Sequence, residues 1–271
     1  MELEGKWDSK IDVLLDHLRP VDEKIKNTIG NMADCQVKEA AAKIYSNLSA
    51  VAGTLCYLCK EQPHCSSQAT GAWLRSVIEA CVSVFAFCED PVNRAPLYLN
   101  FAEVVRYKVL LGTEKSVGCL YLPPDDGARL DGIRVGKERV KAFLSQHGAC
   151  YVRHASARKK PATEVLREAL AKDDTSVFSN TWHGGSPSKV LGRARMQWVY
   201  DFLFTRLCSA VHSDVCAADF RAGRQRSTPA GTAILLWGVS IVQLAEALNI
   251  TLPSAQKGFL RKHCCRPLQG T

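Results

Sequence analysis

Apolar residues recur every three to four positions along most of the chain, which is the spacing of one face of an α-helix. In the first such run, WDSKIDVLLDHL, this spacing places Ile11, Leu14, Leu15 and Leu18 on one face. Pro20 is expected to end or bend that helix because proline lacks a backbone N–H donor. Patterns that alternate between apolar and polar residues, as in half-buried strands, are absent from the sequence. The sequence therefore predicts an all-α protein built as a multi-helix bundle.

The middle of the chain predicts its longest helices. An amphipathic helix is expected over about residues 35–60, and a helix that is apolar nearly all round, hence central and buried, over about 66–87. Asp90 is a good N-cap with Pro91 at the first helical position. Gly112 is expected to end the helix that follows.

The second half predicts one loop, two short helices and two long ones. Residues 113–133 contain LPPDDG and are expected to form the loop. The short helices are predicted for GKERVKAFLSQHG and ATEVLREALAKDD, and the long ones for KVLGRARMQWVYDFLFTRLCSAVHS and TPAGTAILLWGVSIVQLAEALN. We expect an N-terminal helical extension that packs on the core, a helical core and a basic C-terminal tail, over residues 1–65, 66–250 and 251–271.

Positive charge is concentrated in the second half of the chain. The net charge is +8, and residues 1–150 carry 18 Lys and Arg against 19 Asp and Glu, whereas residues 151–271 carry 17 against 8. A one-sided positive field attracts phosphate polymers, although a solvated basic surface has the same composition. The candidate nucleic-acid contacts are Lys159, Lys160, Arg221, Arg224 and Arg226.

Twelve cysteines raise the alternatives of disulfides and a metal site. Disulfide frameworks are typical of short secreted chains, and the start MELEGKWDSK is unlike a signal peptide, so a cytoplasmic protein with reduced thiols is expected. Cys56, Cys59, His64 and Cys65 are the best group for zinc, but no second CxxC pair completes a zinc ribbon. We expect no metal, no cofactor and no membrane span, since the most apolar window is short and contains two polar residues.

Polar side chains within apolar helices are the remaining candidates for a site. Motifs for phosphate-binding loops, nucleophilic serines, zinc proteases and dinucleotides are absent from the sequence. Arg75 and Glu79 lie four residues apart on the central helix, where they either form a structural salt bridge or orient a bound group. Arg206, Ser209 and His212 form one polar stripe on a regular helix, or His212 only interacts with the negative end of the helix dipole.

Several of these polar positions belong to an ordered set of motifs: R-S-x-x-E from Arg75, DPVNRAPLYLNFAEVVRYK from Asp90, W-x-G from Trp182 and Y-x8-S-x-x-H from Tyr200. The order of these motifs along residues 70–215 resembles that of a widespread bacterial all-helical family of uncharacterised function. Arg206 and His212 are in addition similar to the R-x4-6-H signature of the HEPN superfamily of helical ribonucleases and nucleotide-binding proteins.

The HEPN resemblance implies a metal-independent ribonuclease, commonly a homodimer, with an HEPN-like core and additional N-terminal helices. His212 is then the general base or acid for the 2′-hydroxyl of RNA, since imidazole titrates near neutral pH. Arg206 holds the phosphate as charge builds in the transition state. Ser209 and Tyr200 position groups in the site.

Arg75 and Glu79 are expected to orient the residues of this site without acting on the RNA themselves. Polar groups on apolar helices are satisfied at a lower cost together than separately. We therefore expect Arg75, Glu79 and His212 to converge in one pocket, lined by Tyr107 or Tyr200.

A non-catalytic helical module that binds a nucleotide, a nucleic acid or a partner protein is the alternative. Leu207 favours it, because many active HEPN members carry a polar residue directly after the arginine. A purely structural interaction protein is a third reading. The implied partners are RNA or a nucleotide, and an antitoxin or defence-system protein if the chain acts in a toxin–antitoxin or phage-defence system.

Overall fold

The computed structural model describes residues 9–61, 67–116, 127–153, 160–204 and 227–262. Over these residues the chain forms α-helices with short 3-10 and π-helical segments and no β-strand, so the predicted all-α multi-helix architecture is confirmed. The 3-10 helix is Gly148–Tyr151 and the π-helix is Val199–Phe204. The α-helices are α1 Ser9–Gly30, α2 Gln36–Glu61, α3 Ser67–Cys88, α4 Pro91–Ser116, α5 Gly127–His147, α6 Ala162–Ala171, α7 Pro187–Arg193, α8 Ser227–Ala247 and α9 Ser254–Leu260.

The chain divides into two compact units, and residues 1–95 with 185–271 form the first. Helices α1, α2, α3 and α8 pack against one another as its core, α7 and the π-helix contact α3, and α9 contacts α8. Helix α3 is central, as its apolar sequence predicts, and Val77, Ile78 and Cys81 on it are fully buried. The N-terminal helices α1 and α2 therefore belong to the same bundle as α3.

Helix α1 runs through Pro20 to Gly30, so of the two expectations for the proline, an end or a bend of the helix, the end is wrong. The apolar stripe continues beyond the proline at Val21, Ile25 and Ile29, which are buried. Burial of each such side chain contributes roughly 1.5–3 kcal/mol. Together these contributions exceed the roughly 3 kcal/mol that a proline costs inside a helix.

Helix α4 begins as predicted and ends later than predicted. The backbone N–H of Asn93 donates to the Asp90 carboxylate at 3.3 Å, which confirms the N-cap. The helix passes Gly112 and ends at Ser116, because a glycine inside a helix costs only about 1 kcal/mol and does not by itself stop it. Helix α5 begins at Gly127, within the segment expected to form a loop, and residues 117–126 lie outside the described part.

The second unit consists of residues 96–184. The C-terminal part of α4, helices α5 and α6 and the 3-10 helix enclose its core. The chain after the 3-10 helix pairs with a returning segment: Arg153 N–H donates to the Val177 carbonyl at 2.9 Å, and Ser179 N–H to the Tyr151 carbonyl at 2.7 Å. The buried core residues are Val104, Tyr107, Leu111, Val140, Leu144, Tyr151, Leu166, Leu170 and Phe178.

The long helix predicted over 189–213 is interrupted in its described part. Helix α7 ends at Arg193 with two capping hydrogen bonds, from Arg195 N–H to the Gly192 carbonyl and from Met196 N–H to the Leu191 carbonyl. Arg195 adopts a left-handed φ of 57°, and the buried Met196 follows it, as in a Schellman cap. The prediction of one continuous helix is therefore wrong before residue 205, and residues 205–213 lie outside the described part.

Two described helices are long and apolar enough to cross a membrane by length and composition alone, Ala69–Cys88 within α3 and Pro229–Ala247 within α8. This differs from the sequence expectation that no run is long enough. The windows are 61% and 67% buried inside the protein, and core helices of soluble proteins pass the same test. The finding is weak evidence for a membrane, and the cytoplasmic location stays a prediction.

Candidate functional site

The two residues proposed to act on RNA, Arg206 and His212, lie outside the described residues. The structure describes the segment that leads to them. The π-helix Val199–Phe204 ends just before Arg206 and carries Tyr200, which is half-buried. π-helices are rare and occur frequently at functional sites. The other predicted site residues outside the described part are Lys159, Ser209, Arg221, Arg224 and Arg226.

Arg75 and Glu79 form an ion pair within α3. Arg75 Nε donates to Glu79 Oε1 at 2.9 Å, and the two side chains keep 28% and 51% of their exposure. The face of α3 that carries them therefore borders solvent, whereas the sequence suggested mostly buried surroundings. A helical pair of this kind contributes only about 0.3–0.5 kcal/mol. Its desolvation is small, so the geometry is that of an ordinary surface ion pair on a helix.

Three of the supporting residues lie in the first unit. Arg75 and Glu79 are on α3 and Tyr200 is on the π-helix, and these two elements are in contact. The first and last motifs of the resemblance thus lie on two elements that pack together, although the motifs are far apart in the sequence. The convergence of this group with His212 stays a prediction.

Tyr107 lies in the second unit, within a charged cluster. It is fully buried, and its hydroxyl donates to Asp173 Oδ1 at 2.9 Å. Lys141 Nζ lies 2.6 Å from the same oxygen, and Lys137 Nζ lies 3.2 Å from Asp173 Oδ2 and 2.7 Å from Glu114. The cluster joins α4, α5 and the turn after α6, which is a structural role for Tyr107.

The electrostatics of this cluster favour ionised Asp173 and a neutral phenol. Burial opposes ionisation of Asp173, but hydrogen bonds from Lys141, Tyr107 and Lys137 prevail and lower its pKa to about 2. Burial raises the pKa of Tyr107 well above its usual value, and the neighbouring Asp173 carboxylate raises it further. Tyr107 is therefore a hydrogen-bond donor throughout the physiological range.

Lys160, a predicted nucleic-acid contact, is already paired with carboxylates. Its ammonium bonds to Glu168 and lies 3.5 Å from Glu164. The hydrogen bond to Glu168 raises the pKa of Lys160. Because this charge is largely neutralised within the protein, Lys160 is a weaker candidate for a phosphate contact than its place in a basic run suggests.

The cysteine group considered for zinc is only half described. Cys56 and Cys59 are buried on α2, while His64 and Cys65 lie outside the described residues. Burial raises the pKa of the Cys56 thiol to about 12, which disfavours the thiolate that zinc requires. Within the described part of the chain, no three His, Cys, Asp or Glu side chains are grouped so that they could hold a metal ion.

The structure also brings together two cations that were not among the predicted site residues. Lys108 on α4 and Arg153 after the 3-10 helix both donate to the side chain of Asn180. Arg153 belongs to the basic run RHASARKK, so charge density pointed to its neighbourhood. Lys108 ends the DPVNRAPLYLNFAEVVRYK motif, but its proximity to Arg153 had no sequence signal, because it depends on the pairing of the 151–153 segment with 177–179.

Comparisons of the chain with protein-family models, curated protein sequences and solved structures found no match.

Proposed function

We propose that this protein is a metal-independent, HEPN-like ribonuclease that cleaves RNA by attack of the 2′-hydroxyl on the adjacent phosphate. One observation carries the proposal. The supporting positions of the motif, Arg75 and Glu79 on α3 and Tyr200 on the π-helix, lie on two elements in contact. The π-helix leads directly into the segment that contains Arg206 and His212.

The chemistry needs only these residue types. The O2′–P bond forms as the P–O5′ bond breaks, the 2′-hydroxyl proton passes to a base, and the leaving 5′-oxygen gains a proton. A histidine with a pKa near neutrality performs either proton transfer, which is the role proposed for His212. The guanidinium fork of Arg206 stabilises the charge that builds on the phosphate oxygens. No step requires a metal ion.

The test is RNA cleavage in EDTA by the wild type, His212→Ala and Arg206→Ala. Loss of a general base or of a transition-state donor lowers rates by about 100-fold or more. Each variant should show that loss while its helicity and melting temperature stay close to those of the wild type. His147→Ala, at the exposed C-terminal end of α5, is the matched control and should cleave like the wild type.

Two results count against the proposal. One is a wild-type protein that leaves varied RNAs intact over hours. The other is undiminished cleavage by the two site variants, which would assign any activity to another site or to a contaminant.

The alternative is a module that binds a nucleic acid, a nucleotide or a partner protein without cleaving RNA. Leu207 supports it, since an apolar residue follows Arg206 where many active HEPN proteins carry a polar one. In that case RNA binding should weaken steeply with added salt, and charge reversal at Lys159 and Arg224 should weaken it further. Binding that is insensitive to both changes points to a small-molecule pocket.

A further inference from the structure

Lys108 and Arg153 are held side by side in the second unit by a shared neutral acceptor. Lys108 Nζ lies 3.3 Å and Arg153 Nη2 lies 3.1 Å from Asn180 Oδ1, so the two nitrogen atoms are no farther apart than about 6.4 Å, the sum of these distances. Backbone carbonyls anchor both side chains: Lys108 Nζ donates to Ser179 at 3.2 Å and Arg153 Nε to Phe178 at 2.8 Å.

Neither of these two cations has a carboxylate partner among the described residues. Among the described residues, no Asp or Glu lies within salt-bridge distance of either one, whereas Arg106, Lys137 and Lys141 in the same unit each have a carboxylate partner. Burial lowers the pKa of Lys108, and the positive charge of Arg153 lowers it further. Two like charges are therefore held together by oxygen atoms that carry no formal charge.

Both groups keep hydrogen-bond donors available. An ammonium has three N–H donors and a guanidinium has five, and the hydrogen bonds above use two of each. A guanidinium binds a phosphate through two parallel hydrogen bonds, and an ammonium adds a point charge.

We infer that Lys108 and Arg153 form a binding site for a phosphate group. An anion placed against both cations relieves their mutual repulsion. It also accepts hydrogen bonds from the N–H groups that the protein leaves unused. The phosphate belongs either to the phosphodiester backbone of RNA or to a free nucleotide or phosphate ion. This site lies entirely in the second unit and does not depend on RNA cleavage at His212.

The test measures binding of three probes: a fluorescent 12-nucleotide RNA without terminal phosphate, 5′-AMP and inorganic phosphate. Lys108→Gln and Arg153→Gln should each weaken phosphate binding about ten-fold, the usual effect of losing a charge-assisted hydrogen bond. For the RNA, the slope of the logarithm of the binding constant against the logarithm of the salt concentration should also fall by about one unit per variant, which corresponds to one lost phosphate contact.

Two further variants separate loss of the site from loss of charge or of folding. Arg106→Gln removes the same charge from α4, but from a cation that is 2.7 Å from Glu103, so binding should change less than about two-fold. Asn180→Asp places a carboxylate between the two cations. It should weaken phosphate binding as much as the glutamine variants while leaving the melting temperature unchanged or higher.

The probes also distinguish the sources of the phosphate. Effects of the variants on the RNA alone assign the site to a phosphodiester backbone, and effects on 5′-AMP or inorganic phosphate assign it to a free phosphate group. The inference is overturned if the wild type binds none of the three probes. It is also overturned if Lys108→Gln, Arg153→Gln and Asn180→Asp bind them as Arg106→Gln does.

Discussion

Replacement of Asp173 by asparagine tests whether the charged cluster stabilises the second unit. Asp173 adopts a left-handed φ of 53°, a conformation that asparagine tolerates as well as aspartate, so the change adds no backbone strain. The two side chains have nearly the same shape. The substitution therefore removes one negative charge and leaves Lys137 and Lys141 without this carboxylate.

The expected magnitude comes from the pKa of Asp173, which is lowered from 3.8 to about 2. At 1.36 kcal/mol per pKa unit this corresponds to roughly 2.5 kcal/mol. The side chain keeps 32% of its exposure, and solvent screening reduces the value to about 1–2 kcal/mol. Because the pKa is lower in the folded protein, this stabilisation is full above about pH 4 and is lost as the pH falls from about 4 to 2.

Hydrogen exchange of α5 and α6, followed by mass spectrometry, is the suitable assay, because a chain with two units need not unfold in one step. Asp173→Asn should speed exchange in these helices by about 5- to 30-fold at pH 7. When the pH is lowered from 4 to 2, the variant should lose less of its remaining exchange protection than the wild type does. Asp131→Asn is the control, because that carboxylate is 75% exposed and its ion pair with Arg134 is long, at 3.8 Å. Equal exchange in the two variants at pH 7 would refute the reasoning.

Two other predictions concern Tyr107 and the cysteines. Tyr107→Phe should destabilise the second unit by about 1 kcal/mol, because it removes the hydrogen bond to Asp173, and it should leave RNA cleavage unchanged. Lost cleavage at unchanged stability would instead place Tyr107 at the active site. Iodoacetamide should modify the exposed Cys35 much faster than Cys81, whose full burial raises its pKa to about 12, as read from peptide masses; similar rates would contradict the buried position of Cys81.

Helical periodicity predicted the bundle well because burial of an apolar stripe is the largest local contribution to helix stability. The same principle explains the errors. Pro20 and Gly112 carry penalties of about 1–3 kcal/mol, and burial of the residues around them outweighs these penalties. The cap that ends α7 was missed because its left-handed residue is Arg195, where the sequence signal for such a cap is a glycine.

The first of the two boundaries between the units also had no local signal. Residues 96–184 are inserted between the two parts of the first unit, and the boundary at Ala95 falls within the continuous helix α4. Composition shifts and turn residues mark linkers, and a helix that continues across a boundary has neither. A boundary of this kind depends on which distant segments pack together, so it emerges only from the fold.

The candidate sites were predictable to different degrees. Arg75, Glu79 and Tyr200 were found as ordered motif positions, and the structure adds that their elements pack together. The pairing of Lys108 with Arg153 was not predictable, because it requires Asn180 to return between them from a third segment. Net charge identified a basic half of the chain, but it could not show that Lys160 is neutralised by Glu168.

The most direct test of the proposed ribonuclease is the chemistry of its product ends. A defined single-stranded RNA is incubated with the protein in EDTA, and the fragments are analysed by mass spectrometry. The account predicts 2′,3′-cyclic phosphate and 5′-hydroxyl ends, and no cleavage of the same sequence made with 2′-deoxy nucleotides. Intact RNA, 3′-hydroxyl ends or cleavage of the 2′-deoxy strand would contradict it.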